Sequence, residues 1–351
     1  MAGKVALVAG ARGVIGRRVT EHLAALPDWR VIGLARDTRD LGPHIRGIDV
    51  DLLDGAAARA RLCDLADVTH VVYAARHDHP GEAPEPIDAN AAMLENLMDA
   101  IEPVAKGLRH VHLVHGTKYY GSHVGPFRTP AKESDPRPLA TVFYHVQADA
   151  IAQRQRGKAW TWSISHPHVI CDPDVRIRRS VSRLIAVYAI ISCELGLPLS
   201  FPGTPGCYEA LTQCTDANLL ARAILWMSTT PACANQMFNV INGDHFRWCH
   251  LWPKFAAYFG MEAGPVRTVR LASVMADKGP VWGRIVEKHG LCPQPFEDLV
   301  PWTYGDFLFT PAYDIMSDMG KARRHGFCET VDSEAMFFRL FDHFRAERII
   351  P

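Results

Sequence analysis

The chain has 351 residues, with 38 lysines and arginines set against 38 aspartates and glutamates, a length that can bury a large core in one big domain or two smaller lobes. A zero net charge gives no global field toward nucleic acid, an anionic membrane or a charged polymer, so the expected ligand is small. Nine scattered cysteines with no Cys-x-x-Cys offer neither a zinc framework nor a disulfide scaffold and fit reduced thiols in the cytoplasm.

The opening residues, Met1-Ala2-Gly3-Lys4 before Val5-Ala6-Leu7-Val8-Ala9, are too short and apolar-poor for a signal peptide; they predict a first strand at which the mature protein begins. Gly10-Ala11-Arg12-Gly13-Val14-Ile15-Gly16 follows directly and leads into a helical pattern of Val19, Leu23 and Leu26. Strand, glycine turn and helix in that order let backbone approach a pyrophosphate at a helix N-terminus. Gly10, Arg12, Gly13, Val14, Ile15 and Gly16 are therefore expected cofactor contacts.

Residues 30–35 read as the second strand, which ends at Arg36. An NAD site usually offers Asp or Glu to the ribose there, whereas arginine suits the 2′-phosphate of NADP, with Arg12 as a second phosphate ligand. Asp37 favours NAD if its side chain, and not that of Arg36, faces the ribose. NADPH is the expected cofactor and NADH the alternative. After a third strand near 46–50, Asp51 and Leu52 fit the acidic spot that holds the adenine amino group in extended members of this fold; alternatively Asp51 caps the next helix.

Residues 68–75 predict a fourth strand, 80–86 a Pro-rich loop, 89–101 a helix and 109–115 a fifth strand. This alternation means an α/β, Rossmann-like, doubly wound parallel sheet, of about seven strands, with ligands beyond the carboxyl ends of the strands. The longest apolar stretch, 184–199, is interrupted by Ser192 and Glu194 and is too short to span a membrane. The sheet domain is expected from residues 1–170 and 209–252, and a smaller, mostly helical cap from 171–208 and 253–351.

Tyr144 opens the helical stretch 144–156, but four residues later stands Ala148, so the Tyr-x-x-x-Lys pair that usually serves short-chain dehydrogenases is incomplete. The candidate basic partner is Lys118, in Gly116-Thr117-Lys118-Tyr119-Tyr120-Gly121 just past the fifth strand. A cation about 4 Å from a phenol is worth roughly 4 kcal/mol at an effective dielectric near 20. That would lower a tyrosine pKa of about 10 and let Tyr144 stabilise an oxyanion near neutral pH. From spacing alone, a surface lysine and a packed tyrosine fit equally well.

Further segments carry a resemblance: Val124-Gly125-Pro126-Phe127, Phe143-Tyr144, Gly196-Leu197-Pro198-Leu199, Phe201-Pro202-Gly203-Thr204, Phe238-Asn239-Val240 and Asp277-Lys278-Gly279-Pro280-Val281-Trp282. With the Gly-Thr-Lys segment and over nearly its whole length, the chain resembles the progesterone 5β-reductase and iridoid synthase family, NADPH-dependent extended short-chain dehydrogenases that reduce the C=C bond of enones. The resemblance implies Tyr144 and Lys118 as the catalytic pair and adds Ala75, Tyr144, Val169 and Ile170 as cofactor contacts. It implies an apolar enone as substrate, with no nucleic acid, membrane or metal, and is compatible with a homodimer.

The departures from the family's pattern fall on the nicotinamide and substrate side: Ala75-Arg76, His145, Ala148-Asp149, and His166-Pro167-His168 before Val169-Ile170. They permit an NADP-binding sensor without turnover or a different pathway step; carbonyl reduction or sugar-nucleotide epimerisation by the same fold is a further alternative, against which the absent Tyr-x-x-x-Lys and the Gly-Thr-Lys segment argue. Three His-x-His pairs, His77/His79, His110/His112 and His166/His168, put two rings on one face of a strand, which packing explains better than a metal. Arg176, Arg178 and Arg179 read as a solvated basic face or as contacts to a cofactor phosphate or an anionic substrate. Trp282, Trp302, Tyr304, Phe307 and Phe309 are cap core or pocket wall.

Overall fold

In the computed structural model, residues 3–78 and 85–351 are described; His79 and most of the Pro-rich 80–86 loop lie outside them. The first strand, β1 (Lys4–Ala9), is buried on both faces, as a central strand of a parallel sheet must be. Alternate side chains serve two cores: Val5, Leu7 and Ala9 join one, Ala6 and Val8 the other. β2 (Trp29–Ala35), β3 (Ile45–Asp49), β4 (His70–Tyr73), β5 (His110–Val114) and β6 (Thr161–His166) follow, with helices α1 (Val14–Ala24), α2 (Gly55–Leu62), α3 (Ile87–Ile101) and α4 (Phe143–Gln155) between them.

The seven strands run in the order 3-2-1-4-5-6, with Gln236–Asn239 outside β6, and every pair is parallel. This is the expected Rossmann-like sheet. Leu62, Leu97 and Ile151 bring α2, α3 and α4 onto one face; Val19 of α1 and Leu220 and Ile224 of the helix Ala217–Thr229 cover the other. The order reverses between β1 and β4, and a ligand crevice is expected there, beyond the strand ends.

The apolar stretch near 184 becomes α5 (Val181–Glu194), a helix buried almost all round, as Leu184, Ile185, Ala186 and Val187 show. It packs with Trp252, Phe255, Phe337 and Phe341 in a separate core. Among the described residues no helix is long and apolar enough to cross a membrane. The helix Trp248–Tyr258 lies in this second core, while Met319, Ala322 and Phe327 return to the sheet side.

Register explains one of the histidine pairs. His110 and His112 of β5 stand opposite Thr161 and Ser163 of β6. The His110 ring lies 2.8 Å from both the Thr161 and Ser163 hydroxyls, and His112 lies 2.8 Å from Ser163 and 3.0 Å from Ser165. In the third pair, His166 Nδ1 is 3.0 Å from the Tyr120 hydroxyl and His168 Nδ1 is 2.7 Å from Thr117 Oγ1, so each ring is taken by a different hydroxyl. Among the described residues no group of three metal-binding side chains converges.

Candidate active site

A cleft of about 1180 Å³ opens at the carboxyl ends of the strands. Gly10, Arg36, Val50, Ala74, His115 and Pro167, the residues directly after β1 to β6, all line it. A pocket for one drug-sized ligand has roughly 300–1,000 Å³, so this one has room for a dinucleotide and a second small molecule.

At one end the wall is backbone. Gly10 has φ +79°, and a Cβ there would stand 2.7 Å from the Ala74 carbonyl oxygen. A Cβ on Gly16 would stand 2.1 Å from the Gly10 carbonyl oxygen, so Gly16 seats α1 against the turn and does not itself line the cleft. Gly10, Arg12, Gly13, Val14 and Ile15 do line it, beside the unpaired first-turn N–H groups of α1. A dinucleotide pyrophosphate fits this cradle.

Arg36 is exposed, lines the cleft and has no ion pair among the described residues. The Asp37 carboxylate, by contrast, meets Arg12 at 3.0 Å and Arg39 at 2.8 Å, and its hydrogen bonds from Arg39 hold it well below the usual carboxylate range. Arg12 also reaches Asp40 at 2.8 Å. Asp51 accepts the Leu53 N–H at 2.9 Å and lines the cleft, with Leu52 buried beside it. The cap of α2 is Asp54, which accepts from Ala56 and Ala57 N–H at 3.0 and 2.9 Å. The capping alternative for Asp51 therefore falls to its neighbour.

Ala75, Val169 and Ile170 line the cleft as well, the Ala75 amide lying against the Gly10 turn, where a Gly10 Cβ would stand 2.8 Å from it. Val169 has φ +38°, which costs a β-branched residue on the order of 1–3 kcal/mol. Tyr144, in the first turn of α4, is 9% exposed and lies over Gly116, where a Cβ would stand 3.5 Å from its hydroxyl oxygen. Its ring stacks on His115 at 4.6 Å and 20°. Lys118 sits in the single turn Thr117–Tyr120 after β5 and lines the same cleft.

The two do not interact as the sequence reading expects. Lys118 Nζ donates to Glu85 Oε1 at 3.1 Å. Burial pushes the Tyr144 phenol up to about 12, and the cations that pull it back are Arg76 and Arg179. The phenol thus stays protonated near neutral pH instead of being activated by a lysine. Arg76 is visible in sequence only as a departure from a pattern, His115 only as a strand end, and Glu85 only as part of a loop.

Arg176, Arg178 and Arg179 line the cleft too, each beside a carboxylate: Asp174 at 2.7 Å, Asp298 at 3.1 Å and Asp78 at 3.3 Å. Of the five cap aromatics, Tyr304 and Phe307 face the cleft; Phe309 is 2% exposed and Trp282 3% exposed in the cap core, and Trp302 packs toward Phe296.

The sequence profile of the PRISE-like Rossmann-fold domain matches residues 45–351. The chain belongs to the PRISE-like family. An (S)-8-oxocitronellyl enol synthase of Nepeta cataria is 34% identical over 367 aligned positions, covering 99% of this chain and 92% of the relative. A 3-oxo-Delta(4,5)-steroid 5-beta-reductase of Arabidopsis thaliana is 32% identical over 367, covering 99% and 93%. The fold also matches a short-chain dehydrogenase/reductase superfamily protein from Agrobacterium tumefaciens, solved with bound NAD, at a TM-score of 0.68 and 17% identity over 97% of both chains.

Within this PRISE-like chain the departures noted in the sequence have structural partners. His145 Nε2 lies 2.9 Å from the Tyr119 carbonyl oxygen, and Ala148, where a catalytic lysine would otherwise stand, is buried in the sheet core. Asp149 is taken up by Arg137 through two contacts at 2.7 Å.

Proposed function

We propose that the chain is an NADPH-dependent reductase of the C=C bond of an α,β-unsaturated carbonyl compound. The observation that carries this reading is a buried phenol, Tyr144, in the same cleft as the glycine cradle, with no lysine four residues after it. In this reading the cradle of Gly10, Gly13, Val14 and Ile15 holds the pyrophosphate, Arg12 and Arg36 the 2′-phosphate, Asp51 and Leu52 the adenine, and Ala75, Val169 and Ile170 the nicotinamide side. Gly16 supports the cradle from behind. The sheet domain, 1–170 and 209–252, carries the cofactor, and 171–208 with 253–351 covers the substrate, except that the start of the helix Trp248–Tyr258 packs with the cap and Met319, Ala322 and Phe327 pack with the sheet.

When bound, NADPH supplies the hydride for the β-carbon of the enone. Tyr144 donates a hydrogen bond to the carbonyl oxygen, and that bond strengthens as the oxygen becomes an enolate. A phenol pushed up to about 12 keeps its proton while doing so. Lys118, held by Glu85, adds positive charge to the same wall. The α-carbon takes its proton from water.

The test is NADPH oxidation with progesterone and with 2-cyclohexenone, comparing the native chain with Tyr144→Phe and Lys118→Met and identifying products by mass and NMR. A saturated ketone, lost in Tyr144→Phe, supports the reading. An allylic alcohol means carbonyl reduction, and bound NADPH without turnover of any enone means a sensor.

A further inference from the structure

The wall beside Tyr144 carries more positive charge than reduction of a neutral enone requires. Arg76 follows β4, and its guanidinium carbon lies 5.9 Å from the centre of the Phe143 ring. Among the described residues its Nη2 alone is paired, lying 3.2 Å from Asp78 Oδ1 and 3.6 Å from Glu85 Oε1. Its Nε is buried and has no hydrogen-bond partner among the described residues. Arg179 comes from the segment before α5, with Nη1 3.3 Å from Asp78 Oδ2 and its guanidinium carbon 4.9 Å from the centre of the Tyr304 ring.

Asp78 thus braces the two arginines, one on each oxygen, and it does so from the mouth of the cleft: its side chain is 64% exposed against 29% for Arg76. Among the described residues, Arg76, Arg179 and Lys118 bring three cations here against the carboxylates of Asp78 and Glu85. A guanidinium facing a cavity that a ligand will dry loses hydration, and an anion restores it best, through paired N–H···O bonds. The phosphate-binding features, the glycine turn with Arg12 and Arg36, lie beyond β1 and β2, whereas Arg76 and Arg179 are the cations that act on the Tyr144 phenol.

We propose that Arg76 and Arg179 recognise a carboxylate on the substrate, so that the preferred substrate is an enone carrying a carboxylate group. This rests on the enone-reductase reading and narrows its substrate class. Arg76 and Arg179 set specificity; the reacting atoms remain with Tyr144.

The experiment uses the full chain loaded with NADPH and a matched pair of probes, a cyclic enone bearing a propanoate side chain and its methyl ester. The native chain is expected to favour the acid in kcat/KM by roughly tenfold or more, the scale of a charged hydrogen bond. Arg76→Gln and Arg179→Gln should each bring the acid-to-ester ratio toward one, mainly through KM for the acid, and Arg76→Lys should restore part of it. Equal or better use of the ester by the native chain overturns the proposal while leaving enone reduction standing. If neither probe is reduced, calorimetric binding of the saturated keto acid decides. Binding weakened by Arg76→Gln supports the carboxylate site although the reductase reading fails; no binding, or binding indifferent to both arginines, overturns the site as well.

Discussion

At its two ends the cleft is built from different materials. Around Gly10 and Gly13 the wall is backbone, made concave by side chains that are missing; around Tyr144 it is made of side chains, crowded with rings and charges. The first kind of wall fits a ligand part common to many enzymes of this fold, and the second fits one substrate. A lost donor should therefore cost chemistry at the second end far more than it costs cofactor affinity. Tyr144→Phe is expected to lower kcat about 10²- to 10³-fold, as loss of an oxyanion donor does, while NADPH affinity read by fluorescence changes little. Lys118→Met should cost less, because Lys118 is bonded to Glu85 and not to the phenol. A larger loss in Lys118→Met than in Tyr144→Phe would reverse these roles.

The sheet that carries both ends has its own acid sensitivity. His166 closes β6 beside His115, on which Tyr144 stacks, and His110 opens β5 at the opposite edge of the sheet; both are buried, and burial lowers their pKa to about 3. Unfolded, each titrates near 6.5. The unfolded chain then binds more protons than the folded one below that value, so stability is full above about pH 6.5 and falls progressively as the pH drops toward 3. Between pH 6.5 and 5 each imidazole costs about 2 kcal/mol. Urea unfolding at pH 7 and pH 5 should show this loss, and His110→Gln should flatten it. An equal slope in that variant would place the acid lability elsewhere.

The contrast also explains which parts of the molecule a sequence discloses. The strand, glycine turn and helix at residues 4–24 are local, and each piece is dictated by its neighbours, so the sheet and the cradle are legible in order. The Tyr144 end is assembled from afar: Glu85 lies 33 residues from Lys118, and Arg179 is more than 100 residues from Asp78. No spacing rule predicts that Lys118 will choose Glu85 over a phenol, or that burial will outweigh a cation at Tyr144. The His110/His112 pair is intermediate. Its spacing shows a shared strand face, but Ser163 and Ser165 become its partners only through the β5–β6 register.

The backbone wall can be broken by a single methyl group. Gly16→Ala places a Cβ 2.1 Å from the Gly10 carbonyl oxygen, a contact backbone cannot relieve without shifting the turn. The expected cost is at least the roughly 1–3 kcal/mol of an overpacked core, together with weaker NADPH binding. Calorimetric melting and NADPH titration measure the two; a variant that melts and binds like the native chain would show that the turn does not need this close approach.

The smallest effect separates Asp51, which the sequence leaves between an adenine contact and a helix cap, from Asp54. Asp54 caps α2 through two backbone N–H groups, while Asp51 spends its carboxylate on one turn N–H and otherwise borders the cleft. Asp54→Ala should lower stability by about 1 kcal/mol, the usual worth of such a cap, and leave NADPH affinity nearly as it was. Asp51→Ala should do the opposite, weakening NADPH more than it lowers the melting temperature, because in the proposed reading the adenine amino group loses its acceptor while the helix keeps its cap. The crossed pattern is the informative result, since a general loosening of the 51–54 turn would move both readouts together in both variants.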